Sequence, residues 1–215
     1  MEEEPERAGP RKLPPGRHGL PRQFVLHNQR GRLVEAAMHV FGTRSFGEAR
    51  VADVLERAAI SRKTFYEQFA DKEACFMAAY EAAGVRARDA VRVAAREHSA
   101  WDDSVRAGIE ALLGFLASEP ELARLLVVEV TGAGPSALRR RAEAVRGFAA
   151  MLAQTSEEDA PMGAQVAAGG IWEVIHAWVL EGRAEDLPAL ADALVECAKA
   201  QIEPNNDAGV QAATA

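Results

Sequence analysis

Basic and polar side chains are concentrated in a short stretch that has the pattern of a small helix. Arg62, Lys63 and Thr64 follow Ser61, whose hydroxyl can cap a helix that starts at the next residue. Donors and acceptors in the first turn of a helix can contact base edges in the major groove of duplex DNA. Tyr66 can offer its hydroxyl to a phosphate or its ring to a thymine methyl group. These residue types predict a DNA-reading helix.

The predicted reading helix also has an apolar underside and charged neighbours. Phe65 and Phe69 can turn inward. Arg50 and Lys72 lie at the predicted starts of the preceding and following helices, where unpaired backbone amides favour a phosphate. Taken singly, each charge is typical of a solvated surface, so the prediction rests on their joint spacing. The predicted DNA-binding set is Arg50, Ser61, Arg62, Lys63, Thr64, Phe65, Tyr66 and Lys72.

Apolar residues repeat at helical spacing along the rest of the chain, and aromatic residues are sparse at 6%. We predict a first helix capped by Asn28 and stopped by Gly42, two short helices joined by a tight turn at Ala59-Ile60, and a fourth helix capped by Asp71. Five further helices are expected near 102–117, 121–131, 136–155, 162–182 and 187–202. The predicted fold class is therefore all-α.

Charge is distributed unevenly along the chain. Residues 11–72 hold 12 Lys and Arg against six Asp and Glu, a net charge of +6. Because the whole chain has a net charge of -7, the other residues must have a net charge of -13. A basic head joined to an acidic body fits a protein that neutralises phosphates with one end. Residues 1–23, rich in Pro and Gly and basic from Arg7, are predicted to be a flexible arm that could lie along DNA or be solvated, and residues 204–215 a disordered tail.

The cysteines and the N-terminal residues indicate the cellular compartment in which the protein is expected. Cys75 and Cys197 lie far apart without a Cys-x-x-Cys partner, which supports neither a disulfide framework nor a zinc site. The sequence opens with acidic residues instead of a signal peptide, and no apolar run approaches a membrane-spanning length. We expect a cytoplasmic protein with no membrane contact, no metal and no cofactor.

The run from Val51 to Glu73, with Ser61 through Phe69 followed by Asp71-Lys72-Glu73, resembles the signature of the tetracycline-repressor (TetR) family. The resemblance implies an N-terminal three-helix helix-turn-helix domain at 24–71 and a C-terminal effector-binding and dimerisation domain at 72–203. It further implies a homodimer that reads a pseudo-palindromic operator and is a repressor released by a small molecule. Ala59 stands where the family usually has glycine, and Arg50 where a Ser or Thr cap is common.

The acidic body contains candidate dimer and effector residues. Helices near 162–182 and 187–202 carry more apolar residues than one face needs, including Ile171, Ile175 and Trp178, which favours pairing with a second copy over burial within one chain. Candidate effector contacts, each also compatible with plain core packing, are Trp101, Leu112, Phe115, Leu116, Leu126, Phe148, Met151, Trp172 and His176.

A di-metal enzyme and a helical module that binds protein are the alternatives to a DNA-binding regulator. Glu173 and His176 have the Glu-x-x-His spacing of di-metal helical bundles, but such an enzyme needs a second copy of the motif, which the sequence lacks. A helical module that binds protein would explain the acidic body. It would leave the basic reading helix without a purpose, so we expect a regulator and not an enzyme.

Overall fold

A computed structural model describes residues 21–202 of the 215-residue chain. Within that range the backbone is all-helical and contains no β-strand, which confirms the predicted fold class. The nine α-helices of residues 21–202 are α1 Arg22–Thr43, α2 Val51–Ala58, α3 Arg62–Gln68, α4 Lys72–Arg96, α5 Trp101–Ser118, α6 Pro120–Ala123, α7 Pro135–Ala153, α8 Met162–Leu180 and α9 Ala191–Gln201. The predicted tail and all but the last three residues of the predicted arm lie outside the described residues.

The first helix begins earlier than the sequence pattern predicted. Pro21 precedes α1, and its carbonyl accepts hydrogen bonds from the amides of Phe24 and Val25 at 2.9 and 3.3 Å. Proline suits this position because it has no amide hydrogen to leave unpaired. Asn28, the predicted cap, therefore lies inside the helix. The predicted stop at Gly42 is one residue short of the observed end at Thr43.

The segment predicted as one helix over 121–131 is helical but irregular. A π-helical turn, Arg124–Val128, and a 3₁₀ turn, Glu129–Gly132, follow α6. A π turn aligns residues five apart, and here Arg124 donates a hydrogen bond to the Glu129 carboxylate at 2.6 Å. Glu129 is buried, and its other oxygen accepts a hydrogen bond from the Phe46 amide at 2.7 Å. The irregular geometry therefore places this carboxylate against the loop after α1.

The last predicted helix is also divided. Residues Ala184–Leu190 form a 3₁₀ helix that contains Pro188, and the α-helix proper starts at Ala191. Proline lacks the amide hydrogen that a continuous α-helix would need and its ring crowds the preceding turn. The spacing of apolar residues in the sequence does not distinguish the 3₁₀ helix from the α-helix that follows it.

The described residues divide into two compact units. The first contains the residues up to Val85 together with Glu121–Ala137, and the second contains Arg86–Pro120 and the residues from Leu138 onward. In the first unit α1 packs on α2, α3 and the π turn, around an aromatic cluster of Phe41, Phe46 and Phe76 with ring centroids 5.2 to 5.8 Å apart. In the second unit α5 and α8 pack on α9 and on the 3₁₀ helix before it.

Two glycines permit close helix contacts, one in each unit. A Cβ atom on Gly42 would lie 2.4 Å from the carbonyl oxygen of Glu121, and one on Gly163 would lie 1.9 Å from the carbonyl oxygen of Gln201. Neither backbone oxygen can move without displacing its helix, so glycine is required at both positions. Over residues 21–202, no helix has both the length and the apolar character needed to cross a membrane.

Candidate nucleic-acid interface

The helices α2 and α3 are joined by a turn of three residues that requires unusual backbone geometry. Ala59 has φ 50° and ψ 51°, in the left-handed region. Its amide donates to the Glu56 carbonyl at 3.2 Å, and the Ile60 amide donates to the Leu55 carbonyl at 3.2 Å. A residue with a Cβ atom pays about 1–2 kcal/mol in this conformation. Ala59, which stands where the TetR family usually has glycine, therefore has a positive φ that glycine would adopt without this penalty.

The cap of α3 forms as predicted. The Ser61 hydroxyl accepts a hydrogen bond from the Thr64 amide at 3.1 Å, and the two hydroxyls lie 3.0 Å apart. This cap fixes the first turn of the helix, on which Arg62 and Lys63 are exposed. Tyr66 is 51% exposed, which is unusual for a large aromatic side chain. The helix thus presents a basic and aromatic surface to its surroundings.

The structure gives Phe65 a different role from the DNA contact predicted for it. Phe65 is completely buried, and its ring packs at 5.3 Å from that of Tyr66 and at 5.6 Å from that of Phe69. A side chain with no accessible surface cannot touch DNA without partial unfolding. Phe65 instead holds α3 against the core and so supports the exposed side chains beside it.

Lys72, predicted as a phosphate clamp, is turned toward the protein. Its ammonium group donates hydrogen bonds to the carbonyl oxygens of Phe46 and Ala49 at 2.7 and 3.0 Å and lies 4.2 Å from the centroid of the Phe46 ring. These contacts tie the start of α4 to the loop between α1 and α2. The predicted cap of α4 is present, since Asp71 accepts a hydrogen bond from the Ala74 amide at 2.7 Å.

Arg50 precedes α2 and is strongly exposed, with 76% of its side chain accessible. The cap of α2 comes from Asp53, which accepts a hydrogen bond from the Arg50 amide at 2.8 Å and lies 3.4 Å from Arg44 and 3.5 Å from Arg50. The amide hydrogen bond is the main reason that the pKa of Asp53 falls below its ordinary value, and the arginine charges act in the same direction. Arg50 is therefore exposed to solvent while its guanidinium lies at ion-pair distance from Asp53.

Arg30 and Arg32 of α1 contact this region and did not emerge from the sequence. The Arg32 guanidinium donates hydrogen bonds to the carbonyls of Ala58 and Ala59, the second at 3.3 Å. Arg30 donates to the Gln68 carbonyl at 3.1 Å and lies 4.4 Å from the centroid of the Phe69 ring. Their positions on α1, two residues apart and among apolar positions, gave no signal, because the contacts connect residues 26 to 38 positions distant in the chain.

The predicted effector residues fall into both units. Leu126 belongs to the first unit, and the other eight belong to the second. In the second unit Phe148 and Trp172 pack edge to face at 6.4 Å, while Leu112 and Leu116 are buried. The Trp101 indole donates to the Leu152 carbonyl at 2.9 Å, whereas the buried indole nitrogen of Trp172 has no hydrogen-bond partner among the described residues. His176 is partly exposed and lies 3.9 Å from Glu173.

Glu173 and His176 on α8 have the Glu-x-x-His spacing of di-metal helical bundles. Residues 21–202 contain no group of three or more His, Cys, Asp or Glu side chains arranged to hold a metal ion. The single pair on α8 supplies too few ligands for the di-metal sites of helical bundles.

The helices α2 and α3 are joined by a tight turn, and α3 exposes basic side chains. This arrangement defines the helix-turn-helix class of DNA-binding proteins.

Residues 33–79 match the family model described as bacterial regulatory proteins, tetR family. The match spans the C-terminal part of α1, all of α2 and α3 and the start of α4, which are the elements that form the interface. The N-terminal helices of the chain therefore match those of TetR-family transcriptional regulators. This family consists of DNA-binding regulators and not of enzymes.

Solved structures share the fold at low sequence identity. The fatty acid degradation regulator FadR from Bacillus halodurans has a TM-score of 0.68 at 19% identity, with 79% of this chain and 94% of that chain covered. The transcriptional regulator FadR from Bacillus subtilis, in complex with stearoyl-CoA, has a TM-score of 0.65 at 18% identity, with coverage of 80% and 97%. A TetR-like regulator from Rhodococcus sp. RHA1 gives 0.62 at 23%, with coverage of 83% and 96%. These likenesses extend the fold assignment to the C-terminal helices.

Proposed function

We propose that this protein is a repressor that binds a pseudo-palindromic DNA operator as a homodimer in the cytoplasm and is released by a small effector. The observation that carries the proposal is the exposure of Arg62, Lys63 and Tyr66 on α3 above the fully buried Phe65. Such an arrangement leaves donors free for base edges while the helix itself is fixed. In this proposal residues 24–71 read DNA, and residues 72–203 bind the effector and form the dimer.

Each side chain of the interface has a proposed task. Arg62, Lys63 and Thr64 contact base edges, Tyr66 contacts a phosphate or a thymine methyl group, and Arg50 contacts a phosphate. Ser61 and Phe65 act indirectly, through the cap and the buried underside of α3. Lys72 reaches a phosphate only if it gives up the two carbonyl contacts that it makes in the free protein.

The proposed dimer forms through α8 and α9. Of the residues first considered for this contact, Ile171 and Ile175 are buried within one chain and Trp178 is partly exposed. A different face of α8 carries accessible apolar side chains, with Met162 72%, Val166 55% and Leu180 58% exposed, and it also includes the exposed Glu173. Gly169 and Gly170 lie on the same exposed side with open space around them and permit close approach of a second helix. Covering this face is the reason to expect a partner copy.

The proposed effector site lies among the helices of the second unit. The unpaired indole nitrogen of Trp172, beside the ring of Phe148, offers one hydrogen bond in an apolar setting. A ligand with an apolar body and a hydrogen-bond acceptor would satisfy both features. Stearoyl-CoA is a rational first probe, because it is the ligand of the Bacillus subtilis FadR structure that shares the fold.

Release of DNA is proposed to act through α4. This helix is continuous from Lys72 to Arg96, and the division between the two units falls within it. Phe76, in the first half of α4, packs against Phe41 of α1 and Phe46, and α1 packs on α3, so a tilt of α4 would reach α3 through α1. Coupling must be reciprocal, so operator DNA should weaken effector binding by the same factor, typically about 1–3 kcal/mol. Calorimetry with stearoyl-CoA, with and without operator, measures that factor.

A salt titration of binding to genomic DNA fragments tests the DNA-binding proposal. Phosphate contacts release counterions, so the logarithm of affinity should fall linearly with the logarithm of salt concentration. The matched control is the variant Arg88→Met, which removes an exposed arginine of α4 far along the chain from the reader and should keep the wild-type slope. Binding that is independent of salt, or absent at low salt, would favour a helical module whose partner is a protein.

A further inference from the structure

Two arginines of α1 each hold the end of one helix of the reading motif. Arg32 donates to the carbonyls of Ala58 and Ala59, where α2 ends. Arg30 donates to the carbonyl of Gln68, the last residue of α3, and lies over the Phe69 ring. The final carbonyls of a helix have no partner within it and carry the negative end of its dipole. Each guanidinium therefore meets an acceptor that is electrostatically matched to it.

The contact of Arg32 falls on the strained residue of the motif. Ala59 is in the left-handed conformation, which its Cβ atom disfavours, and glycine would adopt it without penalty. If Ala59 relaxed to an ordinary φ, the direction of the chain entering α3 would change. Both hydrogen bonds come from one guanidinium nitrogen, Nη2, and their acceptors are adjacent carbonyls, so a rotation of the Ala59 backbone would break at least one of them.

We infer that Arg32 is a positioning residue for DNA recognition: it holds the left-handed turn at Ala59 so that α3 keeps the orientation needed to read bases. Arg30 performs the corresponding task at the far end of α3. Neither side chain has to touch DNA. The inference rests on the proposed function, because it assumes that α3 is the reading helix.

The test uses full-length protein and a duplex enriched by the wild type from a random library, with poly(dI-dC) as the nonspecific probe. Arg32→Met removes the donors and keeps an unbranched apolar side chain in place of the aliphatic stem of the arginine. It should weaken binding to the enriched duplex about tenfold, which corresponds to the loss of a hydrogen bond to a charged group. Binding to poly(dI-dC) should change less than about threefold, because a misdirected helix loses base contacts before it loses phosphate contacts.

The substitution Ala59→Gly provides the decisive comparison. In its presence Arg32→Met should weaken binding to the enriched duplex by less than about threefold, because glycine needs no support at this φ. This comparison also holds if Arg32→Met alone folds poorly, since both proteins then carry Ala59→Gly and have a left-handed turn without strain. Arg88→Met, which removes an exposed arginine of α4, is the charge-matched control and should bind both probes as the wild type does.

Each outcome has a definite meaning. Unchanged affinity of Arg32→Met, or an equal loss on both DNA probes that Ala59→Gly does not restore, would overturn the inference, the second because it identifies a phosphate contact. Failure of the wild type to enrich any duplex would be a different result. It would remove the proposed function, and the positioning role with it.

Discussion

The ammonium group of Lys72 lies between the carbonyl oxygens of Phe46 and Ala49 and against the ring of Phe46. The sequence placed this lysine correctly at the start of α4, because Asp71 supplies a local capping signal. It could not indicate the direction of the side chain, since the loop carbonyls are more than 20 residues away in the chain. A phosphate and two carbonyls attract the same ammonium group, and only the folded geometry distinguishes them.

Lys72→Met should therefore lower the free energy of unfolding as well as affect DNA binding. Two charge-assisted hydrogen bonds in a partly buried site are lost, for which we expect a cost of about 1.5 kcal/mol. Lys63→Met is the matched control, because Lys63 is exposed on α3, and its cost should stay below about 0.5 kcal/mol. Urea denaturation measures both variants, and equal stability of the two would contradict the inward role of Lys72.

The short helices α2 and α3 follow the local sequence closely. The turn at Ala59-Ile60 and the start of α3 after Ser61 were predicted at the observed positions, because the cap and the turn are local signals. The segment after α6 could not be predicted in the same way. Its π turn brings Arg124 to the buried Glu129, five residues further on, and the other oxygen of Glu129 binds the amide of Phe46, which is 83 residues distant in the chain.

Asp53 stabilises the start of α2 in a pH-dependent manner. Its pKa in the folded protein lies below the ordinary value of 3.8, so its stabilising effect is complete above that value and is lost as the pH falls toward the lowered pKa. Asp53→Asn should reduce stability at neutral pH, and the difference from the wild type should shrink progressively below about pH 4. Urea denaturation at a series of pH values provides the measurement.

Glu56→Gln serves as the control for Asp53→Asn. Glu56 is exposed on the same helix, and its replacement should change stability at neutral pH by less than about 0.5 kcal/mol. A constant difference between the wild type and Asp53→Asn from neutral pH to pH 2 would show that the carboxylate charge does not contribute to the cap.

For the whole molecule, the accessible apolar face of α8 predicts the oligomeric state. Val166→Glu places a charge in the proposed interface and should convert the dimer to monomer at micromolar concentration, because an unpaired charge is costly to bury. Val93→Glu is a matched control, since Val93 of α4 is 62% exposed and lies outside that face. Analytical ultracentrifugation distinguishes the two, and a wild type that sediments as a monomer would refute the dimer.

The measurement that tests the central claim most directly is selection of DNA from a random duplex library, performed with the wild type and with Lys63→Ala. The wild type should enrich a pseudo-palindrome whose half-sites are centred about 34–36 Å apart or a multiple of that distance. Lys63→Ala should relax the preference at one position in each half-site, at a cost of about 1–3 kcal/mol. No enriched sequence, or the same sequence with undiminished preference from Lys63→Ala, would contradict the assignment of α3 as the helix that reads DNA.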